Sequence, residues 1–239
     1  MHNVRRWDLL WLLMSAAVCL TVLIGLFGLL GDSPPDAYHK WFYDQSQSTW
    51  KTAKWLGVEI EKSPMDLQVY QELLYETKPD VLIEAGTYKG GSAYFFASLF
   101  DLIGHGKVLT MDIVDDPGKP PHPRVTYLTG SSTSEEMVAK VKGLIRPGDK
   151  VMVVLDSDHH QSHVLKEIQL YSPLVTVGSY LIVEDTNING HPVIPKYGAG
   201  PWEAVAEFLR SNRDFVVDET RERYGFTFNP GGWLRRVKS

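Results

Sequence analysis

From residue 65 onward the apolar positions fall into two alternating rhythms. MDLQVYQELLYETK spaces them three and four apart, as one face of a helix requires, and stops before Pro79. VLIEAG is a short apolar run closed by glycine, the mark of a strand covered on both faces. The two rhythms then repeat. GSAYFFASLFDLI, SEEMVAKVKGLI, SHVLKEIQLY and WEAVAEFLRS read as helices; KVLTMDI, VTYLTG, VMVVLD and YLIVED read as strands. Strands that are apolar throughout and alternate with helices predict an α/β fold with a mostly parallel, doubly wound, Rossmann-like sheet, in one domain over residues 63–239. The last β-rich runs, FVVDE and YGFTFNP, have only a short link and predict a hairpin at the sheet edge.

The pattern is different at the start. After a short tail, residues 1–8, the run 9–30 carries no charge. At about 1.5 Å per residue a helix of that length covers the roughly 30 Å of a bilayer core, so residues 9–31 are expected to form a transmembrane anchor. A cleaved signal peptide is the competing reading, since Arg5 and Arg6 precede the run. Its apolar part is usually only about 7–15 residues, however, and no A-x-A-like cleavage site follows here. Residues 32–62 then hold DSPPD and an aromatic stretch with Trp41, Phe42, Tyr43, Trp50 and Trp55. They read as a stiff, aromatic-rich linker whose rings either pack on the domain or lie at a membrane interface.

Composition narrows the functional classes. The chain of 239 residues has a net charge of −5 and no basic run beyond the C-terminal RRVK, which argues against a nucleic-acid footprint. Cys19 is the single cysteine and falls within the expected anchor, excluding an internal disulfide framework and a Cys-ligated zinc site.

Ligands of such a sheet bind beyond the carboxyl ends of its strands, so the strand ends carry the candidate chemistry. The first, VLIEAGTYKGGSA, has Glu84 at the strand end, Gly86 and Thr87 in the turn, and Gly90 and Ser92 opening the next helix. Glycines there let a backbone approach a ligand, although an empty βα turn also needs them. Asp112 ends the next strand, 26 positions after Gly86. An acid at that spacing suits the two hydroxyls of a ribose. TGSS follows, and its Gly130, Ser131 and Ser132 are candidates for an adenine pocket or, for the serines, a simple helix cap.

VMVVLDSDHH and YLIVEDTN both end in acids: Asp156 and Asp158 on one, Glu184 and Asp185 on the other. Adjacent strands lie about 5 Å apart, and carboxylates converging on that scale repel unless a cation neutralises them. Oxygen-rich ligation without cysteine favours Mg²⁺, Ca²⁺ or Mn²⁺. His159, beside these acids, is a candidate base; His160 and His163 read as solvated or packed.

These stretches together resemble the cephalosporin hydroxylase family, which also includes rhamnosyl O-methyltransferases. The likeness spans most of residues 55–186, with LDSDH and VEDT its most specific blocks. It implies a class I S-adenosylmethionine-dependent methyltransferase fold with Mg²⁺ beside the methyl donor. It sets Asp158, Glu184 and Asp185 on the metal-ligand positions and Glu84, Gly86 and Asp112 on the donor site, with Gly130, Ser131 and Ser132 nearby. Asp156, which ends its strand directly, stays a rival ligand. One departure stands out: Tyr88 occupies the place where the common methyltransferase loop, E-x-G-x-G-x-G, has its middle glycine.

The expected activity is therefore metal-assisted O-methyl transfer to a small-molecule or glycolipid acceptor, with a homo-oligomer left open. A literal hydroxylase with a non-haem iron site would need a two-histidine, one-carboxylate triad, and none of the eight histidines has Asp or Glu two positions on. A noncatalytic membrane-bound module would explain the anchor but not two acidic strand ends. The positive-inside rule, applied to Arg5 and Arg6, puts the globular part across the membrane. A methyl donor made in the cytoplasm asks for the reverse, which is the expectation adopted.

Overall fold

The computed structural model describes residues 31–238. The expected anchor, apart from Gly31, lies outside them, and among the described residues no helix is long and apolar enough to cross a membrane. The chain from His39 onward forms one compact unit, so the compact part begins well before residue 63.

Helix α1 (Pro34–Asp44) leads into it and a small antiparallel ribbon follows, β1 (Lys54–Trp55) with β2 (Val58–Glu59). The ribbon is not a linker. Trp55 meets Phe95 edge-on at 4.9 Å and its indole N–H donates to Ser98 Oγ at 3.1 Å. Helix α2 (Pro64–Thr77) begins where the sequence asks for it: Ser63 accepts the Met65 N–H at 3.2 Å, and Pro64 occupies the first turn, where no N–H is needed.

Five strands then follow with helices between them: β3 (Val81–Ala85), α3 (Gly91–Ile103), β4 (Lys107–Asp112), β5 (Val125–Thr129), α4 (Glu135–Gly143), β6 (Val151–Leu155), α5 (Gln161–Tyr171) and β7 (Tyr180–Val183). Helix α6 (Pro201–Ser211), β8 (Phe215–Val217) and β9 (Trp233–Arg236) close the chain. The sheet order is β5-β4-β3-β6-β7-β9-β8, parallel except for β9, which pairs antiparallel with both β7 and β8. The strand order reverses between β3 and β6, the switch point at which ligands of such sheets bind.

Period-two alternation fills both faces. Val81, Ile83, Val151, Val153, Leu181 and Val183 point into one core beneath α4, α5 and α6, while Leu82, Met152, Val154, Tyr180 and Ile182 point into the other beneath α2 and α3. The doubly wound expectation is thus met.

The edge hairpin differs from expectation. Its second strand is β9, not YGFTFNP. Asp66, buried on α2, accepts from Thr227 Oγ1 at 2.5 Å and from the Phe228 N–H at 2.9 Å, which takes that segment's backbone out of any ladder. Burial pushes the Asp66 carboxyl up to about 7 against the pull of those two bonds.

At the switch point the backbones crowd. Gly86 has φ +95°, and a β-carbon on it would sit 1.8 Å from the Asp156 carbonyl oxygen. Gly86→Ala is accordingly expected to lower unfolding free energy by about 3 kcal/mol or more. The helix-ending Gly104 has a similar φ, +74°, but open space around it, so Gly104→Ala should cost only about 1 kcal/mol. Urea denaturation of both variants measures this; equal losses would mean that the β3 and β6 ends do not approach as described.

Candidate active site

Two cavities open at the carboxyl edge of the sheet, on either side of Gly86, Asp156 and Ser157, which line both. The first, about 400 Å³, is framed by Met111, Asp112 and Ile113 from the end of β4, by Gly130, Ser131 and Ser132 after β5, and by Asp158 and His163. Asp112 is fixed by backbone donors. Its Oδ2 accepts the Thr87 and Tyr88 N–H groups at 3.1 and 2.8 Å, and its Oδ1 the Val114 N–H at 2.9 Å. The β3 turn and the acid 26 positions after Gly86 therefore form one unit.

The remaining loop residues divide. Thr87, whose hydroxyl lies 2.7 Å from that of Thr110, lines the second cavity, as does Ser92. Glu84 is fully buried below the loop, accepts from Thr110 Oγ1 at 2.6 Å and borders neither cavity. Burial pushes its carboxyl up to about 7, against the charge of Lys62 and hydrogen bonds from Ser92 and Thr110. Gly90 also lies off both cavities; a β-carbon there would meet the Tyr127 hydroxyl at 3.0 Å. Glu84 and Gly90 shape the turn and line neither cavity.

The acids sort differently from the sequence expectation. Ligand atoms of Asp156, His159 and Asp185 lie within 4.8 Å of one another, near the roughly 4.2 Å that two ligands at about 2.1 Å span across one ion. His159 Nε2 is 3.2 Å from Asp185 Oδ2. Burial pulls the imidazole down, but the surrounding Asp185, Asp156, Glu184 and Asp158 outweigh it and raise its pKa. Burial likewise raises Asp185, against the charge of His159.

Asp158 is not in this group. Its carboxylate turns into the first cavity and accepts from the His160 N–H and ring Nδ1 at 2.8 and 2.6 Å; burial would raise its pKa, but these bonds hold it low. Two residues into the loop, it caps the turn entering α5. Glu184 is also engaged elsewhere. The Lys62 ammonium donates to Glu184 Oε2 at 2.6 Å and to Asp156 Oδ2 at 2.8 Å, and Tyr70 donates to Glu184 Oε1 at 2.5 Å. Burial and Asp156 push Glu184 up to about 7, with Lys62 opposing. Burial alone would depress Lys62, but Asp156, Glu184 and Glu84 together raise it. Of the expected trio, only Asp185 lies in this cluster, which also includes the rival Asp156.

Two carboxylates and an imidazole, with Glu184 just behind, leave more negative than positive charge at the site. That donor set fits a divalent cation that keeps several waters, Mg²⁺ or Mn²⁺.

The second cavity, about 350 Å³, holds His159 and Asp185 on one wall. Tyr43, Trp50 and Tyr197 bring aromatic rings to it, Glu59 and Glu61 bring carboxylates, and Tyr88 borders both cavities. Tyr43 and Trp50 are braced at 5.5 and 5.7 Å by Phe228 from the loop that Asp66 anchors. Tyr88 has φ +47°, a left-handed conformation costing a non-glycine residue on the order of 1 kcal/mol.

Lys62 and Tyr70 had no signal in local pattern. Their place was implicit in topology: α2 runs antiparallel into β3, so a lysine just before its first residue must lie at the sheet's carboxyl edge.

A family model for rhamnosyl O-methyltransferase/CmcI matches residues 47–237. A rhamnosyl O-methyltransferase of Mycobacterium leprae (strain TN) is 42% identical over 212 residues, covering 86% of this chain and 91% of its own. One of Mycobacterium tuberculosis is 40% identical over 219 residues, 88% of each chain. Among solved structures, CmcI with Mg and SAM superposes with a TM-score of 0.59 at 22% identity, over 80% of this chain and 78% of that one, which supports the fold. With the matched segment running from the aromatic stretch before β1 through β9, the chain belongs to the rhamnosyl O-methyltransferase/CmcI family.

Proposed function

We propose that this protein is a metal-dependent O-methyltransferase that moves the methyl group of S-adenosylmethionine to a sugar hydroxyl. The observation that carries this reading is the pair of cavities meeting at Gly86, Asp156 and Ser157, with the acid cluster at their junction. The relatives named rhamnosyl O-methyltransferase supply the acceptor class, a deoxysugar.

The first cavity takes the donor. Asp112, its carboxylate fixed by three backbone donors, accepts from the ribose hydroxyls. Gly130, Ser131 and Ser132 lie along the adenine side. The second cavity takes the sugar, and alignment of its hydroxyl with the donor methyl supplies much of the rate. When bound, a divalent cation lowers the acceptor hydroxyl's pKa and orients its oxygen. We assign Asp156 and Asp185 to hold it, and His159, beside them, to take the proton. The oxygen attacks the methyl carbon, the carbon–sulfur bond breaks, and its electron pair stays on sulfur, giving a neutral thioether. Iron-dependent hydroxylation is disfavoured by the cluster's composition: one imidazole and two carboxylates among the described residues, the inverse of the two-histidine triad.

The charge-free run 9–30 supports a membrane anchor, with the domain on the cytoplasmic side where the donor is made. The acceptor is then a glycolipid met at that membrane.

Three outcomes are expected. Asp112→Ala should weaken S-adenosylmethionine binding by about 1–3 kcal/mol in calorimetry; unchanged affinity removes Asp112 from the site. Asp156→Asn should abolish Mn²⁺ binding, read by calorimetry, together with methyl transfer, while Asp158→Asn keeps both within about threefold. The opposite pattern makes Asp158 the ligand, and full activity of the wild type in excess chelator ends the metal reading. Finally, a C-terminal reporter active only in the cytoplasm should score positive in cells; signal solely from an outside-active reporter reverses the topology.

A further inference from the structure

We propose that Tyr88 is a specificity residue for the acceptor: its backbone serves the donor loop while its ring forms a platform for the C–H face of the sugar. This rests on the reading of the 350 Å³ cavity as the acceptor site. The backbone gives no reason for a side chain here. Tyr88 sits at φ +47°, where glycine is at ease, and its N–H bond to Asp112 is one that glycine would make equally well. A strained tyrosine at such a point suggests a role for the ring.

The ring's surroundings say which ligand it meets. It stays 54% exposed although it stands at the border of both cavities. The Lys89 ammonium lies 5.4 Å from its centroid and pairs with Glu59 at 2.5 Å. Glu59 lines the acceptor cavity and not the donor cavity, so this tie draws the ring to the acceptor side. Trp50 and Tyr197 face the same space. Aromatic faces are electron-rich and the axial C–H groups of a sugar are weakly positive, so several rings around one small cavity suit a pyranose better than a flat or anionic acceptor.

The test uses the purified full chain with S-adenosylhomocysteine bound, methyl α-L-rhamnopyranoside as the sugar probe followed by ligand-observed NMR, and S-adenosylmethionine followed by calorimetry. Tyr88→Gly should raise the sugar's Kd by about five- to tenfold, the loss of one good stack, while leaving the donor's Kd within about twofold. Tyr88→Asn, which also tolerates a left-handed backbone, should do the same and stands in if the glycine variant folds poorly. Tyr88→Phe should bind both ligands as the wild type does. Donor affinity falling with the ring would reassign Tyr88 to the donor, and unchanged sugar affinity in both ring-less variants overturns the inference alone. No sugar binding by the wild type overturns the acceptor reading with it.

Discussion

The buried Lys62 ammonium, held between Asp156 at the end of β6 and Glu184 at the end of β7, is the interaction on which the site depends. Desolvating three charges costs several kcal/mol each, and attraction at such distances returns about 4 kcal/mol per pair at an effective dielectric near 20. The triad is therefore a weak source of net stability and a strong source of specificity. Removing one member strands the others, at about 3–5 kcal/mol, so only an arrangement that brings all three together is tolerated. That arrangement sets the start of α2 against the ends of two strands and holds Asp156 where the two cavities meet.

The aromatic wall of the second cavity depends on a second set of long-range contacts. Asp66, one turn beyond Lys62 on α2, fixes Thr227 and Phe228; Phe228 in turn braces Tyr43 and Trp50. His39 stacks on Phe228 at 5.6 Å and its ring nitrogen meets the Asn187 amide at 2.9 Å, just after the VED acids. The segment before β1 and the loop before β9 thus build one aromatic wall. The first cavity is built differently, mainly from loops at the carboxyl ends of the strands, which suits the proposal that it takes a cofactor common to many enzymes.

The sheet was legible because buried parallel strands write themselves as apolar runs; each of the five between VLIEAG and YLIVED lies where its run predicted. The turn after β3 and its tie to Asp112 were legible for a related reason, since turn glycines and Asp112 are fixed by spacing within one βαβ unit. Charges that meet across the fold were not. Lys62 pairs with residues 94 and 122 positions away, and no window contains that. The proposal of Asp156 over Asp158 rests on a single geometric fact, that Asp158 lies far enough into the loop to cap it through His160. YGFTFNP has the composition of a strand, yet a buried carboxylate on a distant helix claims its backbone.

The electrostatics of the two cavities also follow from Asp156. Methyl transfer begins with a positive sulfonium and an oxygen gaining negative charge, and ends with two neutral groups. A dry site favours such annihilation but opposes bringing the separated charges together at the start. The carboxylate that borders both cavities bears on that difficulty, because one of its oxygens is held by Lys62 and the group lines the cavity proposed for the donor. A sulfonium placed there is met by a negative charge that is already held in place by Lys62, so little reorganisation remains when the reaction begins. On the side of the second cavity His159 stands among four carboxylates, whose charge favours the imidazolium formed when it receives a proton. One strand end, VMVVLD, thereby serves both halves of the reaction, and its apolar residues provide the rigid stem that such a shared charge requires.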